Sequence, residues 1–158
     1  MAINKIMTNF EDAVAGVKDG STILVSGFGG AGMPTELLNA LRDQGATDLT
    51  IVSNNAGVGR EGIGGLLSEG KIRKVICSYP RSGGSVIFEE MWASGKVELE
   101  VVPQGTLSER IRAAGAGIGA FYTPTAIGTQ LAEGKEVREI NGRLQVLEYP
   151  LKGDVRSE

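Results

Sequence analysis

Residues 19–34, DGSTILVSGFGGAGMP, contain an apolar run, a glycine-rich turn and a proline where a helix would begin. The run at 22–26 predicts a β-strand, and Pro34 suits the first position of a helix. Glycine has no Cβ atom, so the turn lets backbone N–H groups closely approach a negatively charged ligand. The stretch therefore predicts a strand, a ligand-binding loop and a helix in succession.

The same unit repeats along the chain. Further β-rich runs at 49–53, 73–77 and 97–102 are each followed by a turn rich in Gly, Asn or Pro and then by a helical pattern. Strands and helices that alternate in this way form right-handed crossovers in a mostly parallel sheet. We therefore expect an α/β fold with helices flanking a mostly parallel sheet.

Several helix ends can be located by sequence. Thr8 and Glu11 form a capping-box pattern that predicts a first helix over about residues 9–17. Gly45 is placed to end the helix that follows Pro34. A second capping-box pattern, Thr106 to Glu109, predicts where a later helix begins.

A hairpin is predicted near the end of the chain. The runs 136–140 and 143–149 flank Asn141-Gly142, and this dipeptide is typical of a type I′ turn between two antiparallel strands. The parallel sheet should therefore carry a C-terminal antiparallel hairpin. With 158 residues and 41% hydrophobic residues, the chain fits a single domain over 1–158.

The charge pattern excludes several classes of partner. The formal net charge is −3, and the 16 basic and 19 acidic residues are spread along the chain without a basic tract. We therefore expect no binding to nucleic acid or to an anionic membrane surface. No apolar run approaches the ~20 residues of a membrane span, and no signal-like stretch precedes Glu11, so a cytoplasmic protein is predicted.

Histidine is absent and Cys77 is the single cysteine. This composition excludes Ser-His-Asp and Cys-His catalysis, a His or Cys zinc cluster and a disulfide within the chain. Cys77 lies in an apolar run, which favours a small buried side chain over a nucleophile. Catalysis would have to use carboxylates, amides, hydroxyls, Lys, Arg or the backbone.

Four loops follow the carboxyl ends of the predicted strands: Gly27–Gly32, Asn54–Gly59, Tyr79–Ser85 and Pro103–Thr106. In open parallel sheets, ligands bind beyond this edge. The four loops should therefore converge on one site.

The first of these loops can be interpreted in more than one way. Gly27, Gly29 and Gly32 spell G-x-G-x-x-G, the fingerprint of dinucleotide-binding oxidoreductases. That fingerprint needs an acidic residue at the end of the second strand, where this chain has Asn54 and Asn55 instead. A dinucleotide site remains an alternative, as does a tight turn without a ligand.

Four motifs in order resemble family I coenzyme A transferases, and within them the A-type of their two subunits. The first motif runs from Asp19-Gly20 to Pro34, with Ser26 where the usual pattern has a glycine. The others are SNNAG at 53–57, PQGTLSERIR at 103–112 and AFYTPT at 120–125. Within the family, the segments 77–81 and 117–121 look most like the 3-oxoadipate transferases.

This resemblance implies transfer of CoA from succinyl-CoA to a 3-oxo acid, with 3-oxoadipate as the expected acceptor. In the family, the other subunit, of the B type, carries a glutamate that attacks the acyl-CoA in a ping-pong reaction and becomes a glutamyl-CoA thioester. No matching glutamate motif occurs in this chain, so we expect it to form half of an active site, in an A2B2 heterotetramer. CoA thioesters would be substrates, and no tightly bound cofactor or metal is expected.

The resemblance also suggests roles for individual residues. Gln104 and Gly105 would stabilise the oxyanion formed when a thioester or anhydride carbonyl is attacked. Arg81 would bind the second carboxylate of a dicarboxylate substrate. The substrate pocket would comprise Gly27, Phe28, Gly29, Gly30, Gly32, Asn54 and Asn55. Further anion contacts could come from Arg60, Tyr79 and Arg112.

Relatives of the A type continue well beyond Gly153-Asp154, whereas this sequence ends at Glu158. We therefore expect a C-terminally truncated form. A truncated protein that keeps the fold but has no activity is a further alternative.

Overall fold

The computed structural model describes residues 6–81 and 83–157. Ser82, inside the predicted loop at 79–85, lies outside the described residues. In chain order the elements are α1 (Phe10–Val14), β1 (Thr22–Val25), α2 (Thr35–Gln44), β2 (Leu49–Asn55), α3 (Ile63–Ser68), β3 (Ile72–Tyr79), α4 (Val86–Ala93), β4 (Glu98–Val101), α5 (Gln104–Ala116), β5 (Phe121–Thr123), a 3₁₀ helix (Gln130–Ala132), β6 (Val137–Ile140), β7 (Arg143–Glu148) and β8 (Val155–Ser157).

The main sheet is parallel, in the strand order β4-β3-β2-β1-β8. Val52 on β2 lies between Leu24 on β1 and Ile76 on β3. The crossover connections bring every strand into the sheet in the same direction, which confirms the predicted α/β class. A separate antiparallel sheet has the order β5-β7-β6.

The two faces of the parallel sheet are covered by different helices. One face packs against α1 to α4, and its core includes Ile23, Ile51, Val75, Leu38, Leu66 and Phe88. The other face packs against α5, through Val52, Ile76, Val102 and Leu107. Full burial of one such side chain contributes roughly 1.5–3 kcal/mol. Leu24 of β1 and Leu151, which follows β7, also pack against this second cluster.

Both capping-box predictions are wrong. The N-cap of α1 is Asn9, whose side chain accepts a 2.7 Å hydrogen bond from the Asp12 N–H, and this helix ends at Val14. Helix α5 begins at Gln104, with Pro103 as its N-cap, so Thr106 lies buried in the first turn. In α1, Asn9 takes the capping position in place of Thr8, and α5 begins earlier than predicted because only Val102 and Pro103 separate it from β4.

Other local predictions were closer. Gly45 ends α2 in the left-handed conformation, as expected, but Pro34 is the N-cap and Thr35 is the first helical residue. The hairpin is confirmed, with φ of 53° at Asn141 and 73° at Gly142, as a type I′ turn requires. The hairpin also gains a third strand, β5, which pairs with β7 and was not predicted.

A cluster of charged side chains joins the antiparallel sheet to the parallel one. Glu100 on β4 accepts hydrogen bonds from Lys74 at 2.6 Å and from Arg110 at 2.9 Å. Arg110 also donates to the carbonyl of Tyr149 at 2.8 Å, and buried Glu148 accepts from Lys135. The cluster therefore fixes the segment after β7 against α5.

Glu100→Gln should destabilise the fold, and the loss should depend on pH. Burial raises the pKa of Glu100, but the hydrogen bonds and charges of Lys74 and Arg110 outweigh burial and lower it overall. A lowered folded-state pKa stabilises the fold above the unfolded-state pKa, and this stabilisation is lost as the pH falls through the folded-state value. We expect a loss of about 1–2 kcal/mol at pH 7, allowing for partial exposure.

Urea unfolding at a series of pH values checks this prediction. The gap in free energy of unfolding between wild type and Glu100→Gln should narrow as the pH falls below the usual pKa of a glutamate. Glu98→Gln is the matched control, because Glu98 lies on the same strand, its side chain is 64% exposed, and its one ion pair among the described residues is with Arg73 at 3.4 Å. A gap that stays constant with pH would contradict the ionic account.

In the described part of the chain, no helix combines the length and the apolar character needed to cross a membrane.

Candidate active site at the carboxyl edge of the sheet

A cavity of about 280 Å³ opens beside α5 at the carboxyl ends of β1 and β2. Three predicted site residues, Gly27, Asn54 and Gln104, lie together in its wall. The complete lining comprises Leu24, Val25, Ser26, Gly27, Val52, Ser53, Asn54, Gln104, Leu107, Ser108 and Ile111. It combines an apolar floor with amides and hydroxyls, and the described lining contains no charged side chain.

The two amides at the mouth of the cavity contact each other. Asn54 is at the end of β2, and its Nδ2 donates to Oε1 of Gln104 at 3.0 Å. Gln104 is the first residue of α5, and its Nε2 donates to Oγ of Ser108 at 3.4 Å. Ser108 follows one turn later on the same helix face, where residues four apart are neighbours.

Gln104 and Gly105 also occupy the N-terminus of α5, which directly follows β4. The first N–H groups of a helix have no partner within the helix, and the helix dipole places partial positive charge there. Gly105 is exposed, and a Cβ atom at its position would meet nothing within 4 Å. An anionic oxygen near Gln104 can therefore be stabilised by both amide and backbone donors.

The glycine-rich loop folds back on itself. The N–H of Phe28 bonds to the carbonyl of Ala31 at 2.9 Å, and the reciprocal bond is 3.1 Å, so Gly29 and Gly30 form a two-residue turn between them. Gly27 has φ of 116°, and a Cβ there would lie 3.1 Å from the Met33 nitrogen.

The hydrogen bonds within the glycine-rich loop disfavour the alternative of a dinucleotide site. Two of the loop's N–H groups are already used within the loop, whereas a dinucleotide fingerprint presents such groups to a pyrophosphate at a helix N-terminus. Helix α2 does not begin until Thr35. The loop is therefore better suited to shape a pocket wall, with the Phe28 side chain 77% exposed at its tip.

Asn55 lies behind the loop, where its amide bonds to backbone groups. Its side chain is 1% exposed; Nδ2 donates to the Gly29 carbonyl at 3.2 Å, and Oδ1 accepts from the Gly57 N–H at 2.8 Å. The predicted substrate-binding residue Asn55 is thus placed with its amide turned toward the backbone of two loops. Asn55 instead ties the glycine-rich loop to the loop that follows β2.

Asn55→Ala should cost about 2 kcal/mol of stability, because it removes two hydrogen bonds and leaves the Gly57 N–H buried without its partner. Urea unfolding measures the loss. Asn39→Ala, on helix α2, removes a side chain that has no hydrogen bond to the described residues, so it should change stability by less than about 0.5 kcal/mol. Equal stability of the two variants would show that the bonds of Asn55 contribute nothing.

The predicted cationic contacts are not part of the cavity wall. Arg81 pairs with Glu89 of α4 at 3.0 Å, and this hydrogen bond raises the pKa of Arg81. Arg112 pairs with Glu109 at 2.6 Å on the solvent side of α5. Arg60 and Tyr79 are exposed, and neither lines the cavity.

Cys77 is fully buried, and burial raises the pKa of its thiol to about 12, outweighing a backbone hydrogen bond at Tyr79 that lowers it. The burial confirms the expectation that Cys77 is a small core residue. The described residues also include no group of three or more His, Cys, Asp or Glu able to hold a metal ion.

Sequence reasoning missed two hydroxyl groups in the cavity wall, those of Ser26 and Ser108. For Ser108 the helical spacing from Gln104 was an available signal.

Comparison with known proteins identifies the family. A family model described as Coenzyme A transferase matches residues 7–156. The A-type subunit of 3-oxoadipate CoA-transferase from Pseudomonas putida is 60% identical over 152 residues, which cover 96% of this chain and 66% of that protein. From Bacillus subtilis, the A-type subunit of a probable succinyl-CoA:3-ketoacid coenzyme A transferase is 49% identical over 97% of this chain and 63% of its own length. The chain thus spans about two thirds of these relatives.

Solved structures share the fold. An acyl-CoA transferase from E. coli O157:H7, in a thioester complex with CoA, has a TM-score of 0.78 at 23% identity, covering 93% of this chain and 33% of that one. Glutaconate coenzyme A-transferase from Acidaminococcus fermentans has a TM-score of 0.78 at 20% identity, and the match covers 97% of this chain and 55% of that one. Sequence and fold agree, and the chain belongs to the coenzyme A transferase family.

Proposed function

We propose that this chain is the A-type subunit of a CoA-transferase that moves CoA from succinyl-CoA to a 3-oxo acid, with 3-oxoadipate as the acceptor. The observation that carries this proposal is the pairing of Asn54 and Gln104 at the cavity mouth, beside the N-terminus of α5. The identity to the corresponding subunit of 3-oxoadipate CoA-transferase supports the choice of acceptor.

In this proposal the nucleophile is a glutamate of a partner, the B-type subunit. Its carboxylate attacks the thioester carbonyl of succinyl-CoA, and the CoA thiolate leaves as a mixed anhydride forms. The thiolate then attacks the glutamyl carbonyl, which releases succinate and leaves a glutamyl-CoA thioester. The carboxylate of the 3-oxo acid then attacks the glutamyl-CoA carbonyl, and the CoA thiolate leaves as a second mixed anhydride forms. The thiolate attacks the 3-oxoacyl carbonyl of this anhydride, which gives the new acyl-CoA and frees the glutamate.

Each attack places negative charge on a carbonyl oxygen. Gln104 Nε2 and the Gly105 N–H are the donors we assign to that oxygen. The apolar floor of Val52, Leu107 and Ile111 keeps water away, which strengthens these hydrogen bonds. The glycine-rich loop, with Phe28, forms the adjacent wall of the acyl pocket. CoA thioesters are substrates here, and the reaction needs no resident cofactor.

The second carboxylate of 3-oxoadipate must be bound away from the described lining, which has no cation. Arg81 remains our proposal for this role, and binding would require its guanidinium to exchange Glu89 for the substrate. The alternative is a cation supplied by the partner. The assembly we propose is an A2B2 heterotetramer.

The test is co-expression of the chain with the B-type subunit of a 3-oxoadipate CoA-transferase. The purified complex is incubated with succinyl-CoA and 3-oxoadipate or acetoacetate, and the acyl-CoA products are resolved by mass spectrometry. Formation of 3-oxoadipyl-CoA, faster than acetoacetyl-CoA, is the expected result. A stable complex without transfer would instead indicate an inactive family member. Failure to form a complex, with no transfer, would overturn the proposal.

A further inference from the structure

We infer that Asn54 is a positioning residue that orients the amide of Gln104, with Ser108 holding the other end of that amide. This inference rests on the function proposed above. It adds that two hydrogen bonds fix which atom of Gln104 faces the reacting oxygen. The geometry consists of two hydrogen bonds, 3.0 Å from Asn54 to Gln104 and 3.4 Å from Gln104 to Ser108.

A glutamine amide has one accepting oxygen and one donating nitrogen, and rotation about its last torsion exchanges them. Only the nitrogen can stabilise an oxyanion. Because Asn54 Nδ2 donates to Oε1, the oxygen of Gln104 is held toward β2, and Nε2 is left on the opposite side. One hydrogen of Nε2 is directed to Ser108. The second has no acceptor among the described residues and is available to a ligand.

The supporting elements make this arrangement stable before substrate binds. Asn54 is the penultimate residue of the central strand β2, and its neighbours Ser53 and Asn55 are buried. Ser108 lies one helical turn after Gln104 on α5. Gln104 itself is exposed. Without its two partners, such a side chain would sample both amide orientations, and one of them would present an oxygen to the oxyanion.

Two substitutions at Asn54 separate orientation from other effects. Asn54→Leu has a similar size and no donor, so the Gln104 amide loses its fixed orientation. Asn54→Asp is isosteric but only accepts hydrogen bonds when ionised. In that variant Gln104 must turn Nε2 toward residue 54, which leaves Oε1 on the side of Ser108 and the cavity.

The kinetic test uses the complex with the B-type subunit. We expect Asn54→Leu to lower kcat about 10-fold or more and Asn54→Asp about 100-fold, with KM for succinyl-CoA changed by less than about 3-fold. In a Gln104→Ala background, Asn54→Leu should cost less than about 2-fold further, because its effect passes through Gln104. Asn39→Leu, on α2, is the matched control. Full additivity of Asn54→Leu with Gln104→Ala would overturn the inference, as would an active Asn54→Asp variant.

A spectroscopic test does not depend on CoA transfer. The side-chain amide signals of Gln104 in the ¹⁵N-labelled full chain are assigned by their loss in Gln104→Ala. They should shift in Asn54→Leu, Asn54→Asp and Ser108→Ala, and stay unchanged in Asn39→Leu. Unchanged Gln104 signals in both Asn54 variants would overturn the inference whatever the complex catalyses. Shifted signals in an inactive complex would support the orienting contact and count against the proposed function alone.

Discussion

Gln104→Ala is expected to lower kcat for CoA transfer by about 10²- to 10³-fold while KM changes little, because it removes a donor used mainly when negative charge develops. The loss corresponds to roughly 2.7–4 kcal/mol of transition-state stabilisation. Stability should hardly change, since Gln104 is exposed and its side chain contacts only Asn54 and Ser108 in the described structure.

Initial rates over a range of succinyl-CoA concentrations separate kcat from KM. Gln130→Ala is the control, because Gln130 is an exposed glutamine on the 3₁₀ helix, away from the cavity. If Gln104→Ala raised KM and left kcat intact, Gln104 would serve in ground-state binding. If it changed neither parameter, the oxyanion site would have to lie elsewhere.

Gly64→Ala should be the most destabilising of the small substitutions considered, with a loss of about 3 kcal/mol in free energy of unfolding. Gly64 is buried in the first turn of α3, and a Cβ there would lie 2.2 Å from the Gly59 carbonyl oxygen. That neighbour is backbone, so relief requires α3 to move away from the loop after β2. Asn55, which is hydrogen-bonded into that loop, would move with it.

Chemical denaturation of Gly64→Ala and Gly119→Ala checks this prediction. A Cβ at Gly119 would meet nothing within 4 Å, and its φ is not positive, so Gly119→Ala should stay within about 0.5 kcal/mol of wild type. A Gly64→Ala protein as stable as Gly119→Ala would show that α3 and the loop can separate at little cost.

The parallel sheet could be predicted because each strand is an apolar run that ends in turn residues. Strands buried on both faces keep this pattern, as β2 does. Strand β5 could not be predicted, since three residues carry no usable periodicity and β5 exists only because β7 pairs with it. Helix starts were misplaced because capping residues compete. Asn9 forms the cap of α1, although Thr8 begins the better sequence pattern.

For the candidate site, the sequence located Gln104 and Asn54 because both follow the ends of strands, and parallel strands bring those ends to one edge. The sequence could not show that Asn54 would line the cavity whereas Asn55 would be buried. Successive residues of a strand point to opposite faces, so Asn54 reaches the cavity while Asn55 is buried behind the loop. The pairing of Arg81 with Glu89 depends on where α4 packs, which no local pattern encodes.

The connection between β4 and α5 consists of Val102 and Pro103 alone, and the Val102 N–H is bonded to the Cys77 carbonyl at 3.0 Å. Gln104 is therefore held at the edge of the sheet by a connection of only two residues. Insertions between β4 and α5 should be poorly tolerated in natural or engineered variants, whereas the hairpin tip at Asn141 offers room for a tag or a label.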